Sequence, residues 1–319
     1  MCASDVGKVM SNRAKASRRP AKSVSVGGPV GESEASANDV APVEEPILTS
    51  HPPSAPELTF LEWFEYFPYV PAALAVKECV RLKRIKELPV VGPVLDVGCG
   101  DGLFTSLAYP HVDVWGIDIN EQEAARAQAS KVYEHVLCQS VTDTQALPAG
   151  FFSTCVANCS LEHVPNIAAA LRTIHRSMRP GGVFYLFVPK SNWTDTLPLK
   201  RLLGRVGLGD IGRAYGAALD AQFAHHHLYE ADRWTALLHD AGFSRVEHEA
   251  IGSDGSQAAF EAALLPSVLA YVTRKLTGRW IVFPSPRRLY AWPVFQAIRR
   301  LCDASPSGVG AEILLACRA

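Results

Sequence analysis

Apolar positions in this chain gather into short runs separated by segments of helical spacing. Val94 to Val97 is one such run, long enough for a buried parallel strand. Val112 to Asp118, Tyr133 to Cys138, Phe151 to Asn158 and Val183 to Val188 repeat it. Between them, one helical pattern opens at Leu103. Another runs from about Glu121 to Ser130, with Asn120 placed to cap it. A third covers Asn166 to Met178, with Ile167, Ala170, Leu171, Ile174 and Met178 on one face. Arg179-Pro180-Gly181-Gly182 reads as the stop of that helix, a basic last turn followed by Pro and Gly. Strands alternating with helices predict an α/β protein with a doubly wound, mostly parallel sheet.

The flanks follow other patterns. Residues 1 to 56 are rich in Ser, Ala, Pro and Gly without apolar periodicity, which predicts a disordered tail. Its first part is basic and its second acidic, so a transit peptide, a patch for an acidic partner and an idle tail all stay open. Order is expected from 57 to 319. Residues 57 to 92 begin with Phe60, Leu61, Trp63, Phe64, Tyr66, Phe67 and Tyr69, then continue as a helix after Pro71. They read as a helical cap, either a lid on a cleft or helices packed against the sheet. Residues 191 to 228 read as a Gly-containing linker that ends in His225-His226-His227. Residues 253 to 309 form an insertion with two expected helices, 258 to 276 and 290 to 301. Arg274, Lys275, Arg279, Arg287, Arg288, Arg299 and Arg300 make it locally positive. Peripheral membrane contact through 256 to 301 and a substrate lid with a solvated basic face explain that pattern equally well.

Composition narrows the classes. A net charge of −1 over 319 residues gives no electrostatic case for a nucleic-acid partner. Eight scattered cysteines in a chain this long read as reduced thiols. Cys155 and Cys159 lack a third cysteine at radical-enzyme spacing, because position 162 is Glu. There is no uninterrupted apolar run of membrane-spanning length and no signal-peptide core, so a cytoplasmic protein is expected, with peripheral membrane association left open.

The densest chemistry lies at residues 94 to 102, Val-Leu-Asp-Val-Gly-Cys-Gly-Asp-Gly. Strand, Gly-rich turn and helix together bring a ligand close to bare backbone at a helix N-terminus. Dinucleotide enzymes use G-x-G-x-x-G, but here the third Gly position is Leu103, and the glycines fall as G-x-G-x-G. With Asp96 two residues ahead of the first Gly, the turn resembles motif I of the class I S-adenosylmethionine-dependent methyltransferases. The order of VLDVGCGDG, WGIDIN, LP, ANCSLEHV, a helix, RPGG and a strand is similar to the small-molecule type, with a methyltransferase-11-like core. The likeness is good over 93 to 190 and loose over 225 to 251 and 310 to 317.

That resemblance implies a seven-stranded sheet with an antiparallel last strand, with Arg245 to Ile251 and Ala311 to Ala316 as the final two strands. It implies S-adenosyl-L-methionine as cofactor. Gly98, Gly100 and Gly102 would admit the methionine and ribose part. Asp96 would contact the amino group or orient the loop, and Asp118 would bind the ribose hydroxyls. Ser140 or Asp143 would stand at the adenine edge, where the family often has an acid. Ile119 and Asn158 complete the expected cofactor set. Phe152-Ser153 stands where the family often has Phe-Asp.

The substrate side is thinner. Asn158, Ser160 and His163 fall at the C-terminal end of the fourth strand, where the crevice of such a sheet lies. His163 is a candidate general base or a packed loop residue. One of His225, His226 and His227 is a candidate base or substrate contact. No metal is expected, since three adjacent histidines cannot all face one ion. No Asx/Ser-Pro-Pro-aromatic run and no Pro-Cys pair occurs, which removes two base-modifying classes. The expected activity is methyl transfer to a small or lipid-linked metabolite, most often to oxygen. A non-catalytic cofactor-binding regulatory module is the alternative. A nicotinamide oxidoreductase is disfavoured by Leu103.

Overall fold

The structure, a computed structural model, describes residues 46–48, 57–142, 145–308 and 310–319. The chain divides into two units, Met1–Pro46 and Ile47–Ala319. Apart from residues 46–48, the expected tail lies outside the described residues, as does Asp143. The second unit carries the sheet.

Two helices come first, α1 (Phe60–Tyr66) and α2 (Ala72–Ile85). The alternating core follows: β1 (Val94–Val97), α3 (Leu103–Ala108), β2 (Val114–Asp118), α4 (Glu121–Ser130), β3 (His135–Cys138) and β4 (Phe152–Asn158). A 3-10 turn, Leu161–His163, leads into α5 (Ile167–Ser177) and β5 (Met178–Pro189). Then come α6 (Pro198–Arg205), α7 (Gly209–Phe223), α8 (Ala231–Asp240) and β6 (Ser244–Ile251). The chain closes with α9 (Asp254–Thr277), α10 (Pro284–Arg288), α11 (Ala291–Ala304) and β7 (Glu312–Arg318).

The seven strands lie in the order β3-β2-β1-β4-β5-β7-β6. β7 runs antiparallel to both β5 and β6, and the other neighbouring pairs are parallel, as expected. The chain winds outward from β1 to β3 and returns to β4, so β1 and β4 flank the topological switch point. Open α/β sheets bind ligands outside the carboxyl ends of such strands.

Alternation of side chains feeds two cores. Val94, Val156, Tyr185, Phe187, Leu314 and Ala316 face one of them, together with Val76 and Cys79 of α2 and Ala259, Phe260 and Phe295 of the insertion. Leu95, Val97, Phe184, Leu186, Ile313 and Leu315 face the other, with Leu171 and Ile174 of α5 and Trp234 of α8. The N-terminal aromatic segment and the insertion therefore join in one helical layer against a sheet face. Trp63 is fully buried and its Nε1 donates to the Ala291 carbonyl at 3.1 Å. Phe60 meets Trp292 edge-on at 4.7 Å.

Two segments differ from the sequence expectation. Arg179 to Gly182 do not form a loop between helix and strand. β5 already starts at Met178, which pairs with Phe152, and the backbones of Gly181 and Gly182 bond Ala319. The extended ladder satisfies main-chain groups that a loop would leave to water. Residues 191 to 228 are not a bare linker, since they hold α6 and α7. Gly212 and Gly216 lie inside α7, where an added Cβ would come within 3.2 Å of the Lys200 carbonyl and 3.1 Å of Thr194 Oγ1. These glycines permit close helix packing rather than flexibility.

Candidate active site

The turn after β1 begins as the sequence suggests. Gly98 and Cys99 both donate to the Ile117 carbonyl, at 2.8 and 3.2 Å, which pins the turn to β2. Gly98 has φ 76°, and a Cβ there would sit 2.4 Å from Ser160 Cβ. Ser160 in turn donates to the Val97 carbonyl at 2.5 Å, so the loops after β1 and β4 are locked together. Gly100 has φ 54° and open space where a Cβ would be. Its bare side is free for a ligand to approach.

Asp118 closes this turn from the end of β2. Its Oδ2 accepts from the Gly100 N–H at 2.9 Å and its Oδ1 from Asn120 N–H at 2.8 Å. Asn120 caps α4 by accepting from Gln122 and Glu123. The half-buried carboxylate is thus held in place with lone pairs to spare. Ile119 beside it is 75 % exposed.

Asp96 is placed differently. It is 4 % exposed, and its Oδ2 accepts from Tyr133 Oη at 2.7 Å and from Thr105 Oγ1. Burial pushes its carboxyl up to about 6, against the hydrogen bonds from Thr105 and Tyr133 and with the Asp118 charge adding to the rise. This geometry suits orienting the loop. Ser140 bonds Thr142 at 2.8 Å. Asn158 Nδ2 donates to Glu78 Oε2 at 2.9 Å, while its Oδ1 is buried with no partner.

Beyond β4 the 3-10 turn brings Glu162 and His163 against the chain around His225. Glu162 is 1 % exposed, its carbonyl accepts from the N–H groups of His226 and His227, and burial pushes its carboxyl up to about 8. His163 Nε2 is 3.8 Å from Glu162 Oε1. Burial lowers the imidazole pKa of His163, opposed by its hydrogen bond to Ala224. His163 and His225 stack at 5.4 Å. His226 is exposed, and His227 spends its ring nitrogens on Tyr229 Oη and the Val164 carbonyl, each at 2.9 Å. Of the expected histidines, the fold therefore gathers His163 and His225 and turns His226 outward.

Residues that the sequence did not single out complete the cleft. Arg81 of α2, 3 % exposed, bonds Glu312 Oε1 at 2.9 Å, Cys159 Sγ at 3.1 Å and Glu78 Oε1 at 2.9 Å. Glu78 and Arg81 look like ordinary charges on a solvated helix face in sequence, and nothing local marks them as buried. Glu162 did carry a signal, since it stands beside His163 directly after the fourth strand.

A family model described as a methyltransferase domain matches residues 65–248. The chain belongs to this methyltransferase family. It is of the S-adenosylmethionine-dependent class I type, with the matching sheet and S-adenosylmethionine as cofactor. Curated relatives include a ubiquinone biosynthesis O-methyltransferase of Xanthomonas oryzae pv. oryzae, 33% identical over 139 residues, 42% of this chain and 54% of that protein. One of the same name from Xanthomonas axonopodis pv. citri is 33% identical over 144 residues, 44% of this chain and 56% of the other. The chain thus spans about half the length of the curated relatives it matches. A solved S-adenosylmethionine-dependent methyltransferase from Thermotoga maritima aligns over 81% of this chain and 94% of its own, at 15% identity and TM-score 0.48.

The residues present fit such a cofactor. The open side of Gly100 leaves room beside the turn, and Asn158 Oδ1 and Tyr66 Oη are buried polar atoms without a protein partner near the cleft. A buried polar atom left unpaired costs about 1–3 kcal/mol, which a bound polar ligand recovers. Gly100→Ala tests the turn. Its positive φ should cost about 1–2 kcal/mol of stability, with no clash, so the protein still folds. Cofactor affinity, measured by calorimetric titration, should fall more than the unfolding free energy does. Equal losses would mean that the turn serves folding alone.

Proposed function

We propose that this protein transfers a methyl group from S-adenosylmethionine to an oxygen of a small apolar or lipid-linked metabolite. The observation that carries the reading is the turn after β1, with Asp118 tethered across Gly100 at the switch point of a methyltransferase-family sheet. The cofactor supplies an electrophilic methyl group on a sulfonium. Gly100 admits it, while Gly98 and Gly102 let the turn pack against Ser160 and Tyr133. Asp118 accepts from its ribose hydroxyls, and Ile119, Ser140 and Asn158 line its remaining edges. Asp96 holds the turn through Thr105 and Tyr133. Glu162, His163 and His225 face the acceptor hydroxyl, and His226 is turned outward.

In this reading residues 57–92 and the segments 191–228 and 253–309 serve the 93–190 core on the substrate side. The name of the Xanthomonas relatives supports oxygen as the acceptor atom. An apolar acceptor is supported by the outer surface of the insertion. Leu265, Leu269, Leu276, Phe283 and Leu289 are 74 to 87 % exposed, beside a run of basic side chains. Among the described residues no helix is long and apolar enough to cross a membrane, so any membrane contact of this surface is peripheral.

The test is a transfer assay with methyl-labelled S-adenosylmethionine and an extract of the source cell, counting label in lipid, aqueous and macromolecular fractions. Label in the lipid or the small-molecule aqueous fraction, lost in Asp118→Ala, is expected. Label in macromolecules alone would overturn the metabolite reading. Cofactor binding without transfer would favour a non-catalytic module. For the surface, the Leu265→Glu, Leu269→Glu double variant should co-float with anionic vesicles about tenfold less than the unchanged protein, a basic-apolar face being lipid-sensitive. Equal flotation would remove membrane contact through this helix.

A further inference from the structure

We infer that Glu162, His163 and His225 form a site for a divalent transition-metal ion of the zinc class, with an open coordination position toward the acceptor. The inference rests on the reading of this cleft as an oxygen-methylating site and states how the acceptor hydroxyl is activated.

One ligating atom from each residue lies within 4.8 Å of the other two. Neighbours fix which ring nitrogens are available. His163 Nδ1 faces the Ala224 carbonyl at 3.3 Å, and a carbonyl can only accept. His225 Nδ1 faces Asp220 Oδ1 at 3.0 Å, and an ionised carboxylate can also only accept. In the neutral tautomers both Nδ1 atoms therefore carry the proton, which leaves the Nε2 atoms as the ligating ones. Metal-binding histidines make this kind of outer hydrogen bond, from the non-ligating nitrogen to a carbonyl or carboxylate. Asp220 is itself held by Trp193 Nε1 at 2.9 Å.

Glu162 gives an independent observation. Its side chain is 1 % exposed, and its Oε2 has no hydrogen-bond partner. An unpaired buried carboxyl oxygen is costly, and a cation supplies what it lacks. The Arg81 guanidinium nearby spends its Nη1 on Glu312 and Cys159 and its Nη2 on Glu78, and its Nε is buried without a hydrogen-bond partner, so it does not bond Glu162 Oε2. Metal–ligand lengths of about 2.0–2.2 Å require the three atoms to draw in from their 4.8 Å span, and the part-exposed His163 ring has room to move. Two imidazoles and one carboxylate leave a four-coordinate ion with one position open, as in catalytic rather than structural sites. A ligand of matching chemistry is a hydroxyl-bearing metabolite. An ion held there would make that O–H more acidic. The proton would leave to solvent, the oxygen would form the new bond to the methyl carbon, and the methyl–sulfur bond of the sulfonium would break with the thioether as leaving group.

The experiment uses the full chain after chelator treatment, titrated with Zn²⁺ alone by calorimetry and with Co²⁺ while visible absorption is recorded. One equivalent of each is expected, with the intense cobalt bands of a four- or five-coordinate site. Affinity should fall about a hundredfold or more in Glu162→Gln and in His225→Asn, and about ten- to a hundredfold in Asp220→Asn, an outer-shell change. No stoichiometric uptake, uptake unchanged in these variants, or the pale spectrum of six-coordinate aqueous cobalt would overturn the site. The wild-type spectrum decides even where a variant fails to fold. S-adenosylmethionine binding and methyl transfer are measured on the same chelated protein. Both retained without zinc uptake would overturn the metal site and leave the methyltransferase function standing. Loss of cofactor binding in the chelated and the metal-loaded protein would instead overturn the cofactor cleft.

Discussion

Asp118→Ala is expected to weaken S-adenosylmethionine binding by about ten- to a hundredfold or more, because hydrogen bonds to a charged acceptor contribute roughly 1.5–3 kcal/mol each. The carboxylate already accepts from Gly100 and Asn120, so its position is set before any ligand arrives. Removing it would take away the acceptor that the proposed function assigns to the ribose and would also release the Gly100 N–H that shapes the turn. Asp118→Asn separates these effects. The amide keeps one acceptor oxygen, so it can still hold Gly100 while offering the ribose a neutral partner, and an intermediate loss is expected. Calorimetric titration measures the affinities and urea unfolding checks the fold. An Asp118→Ala protein that binds the cofactor as the wild type does would remove the residue from the site.

Arg81→Ala is expected to cost about 3–5 kcal/mol of stability, the range for removing one partner of a buried ion pair. Arg81 joins α2 to β7 through Glu312 and to its own helix through Glu78. Without it, Glu312, 7 % exposed, keeps Lys77 at 3.4 Å as its ion-pair partner among the described residues. The pH dependence should change sign. Burial alone raises the Glu312 carboxyl, but Arg81 and then Lys77 outweigh it and hold the group below its ordinary 4.5. A carboxyl lowered in the folded state adds stability that is complete above its unfolded pKa and is lost as pH falls through the folded one. In Arg81→Ala burial wins, the carboxyl rises above 4.5, and its contribution falls as pH rises past that value. Urea unfolding from pH 3 to 8 measures both slopes. Parallel slopes in the two proteins would show that the pair is not what sets the Glu312 charge.

The sheet was legible because each strand run has the length and apolar character of a buried strand, and because glycines, caps and acids punctuate the ends. The turn at Gly98 to Gly102 and the acid at Asp118 were legible for the same local reason. What was not legible depends on long-range packing. Gly212 and Gly216 look like linker residues until α6 lies against them. Arg81 and Glu78 look solvated until β7, 231 residues from Arg81 at Glu312, returns to cover them. The pairing of His163 with His225 depends on a chain crossing that no spacing reports.

The insertion of β7 between β5 and β6 has a consequence for biosynthesis. β5 and β6 have both been translated before α9 begins, yet β5 has only β4 beside it and β6 has no partner until Glu312–Arg318 emerges. Until then β5 presents an unpaired edge with Phe184 to Val188 behind it, the kind of surface that recruits stray strands. The final step must also close a loop of more than a hundred residues between Pro189 and Glu312, which slows folding. A nascent chain stalled shortly before β7 should therefore be held by chaperones or aggregate, while one released after Arg318 completes its sheet.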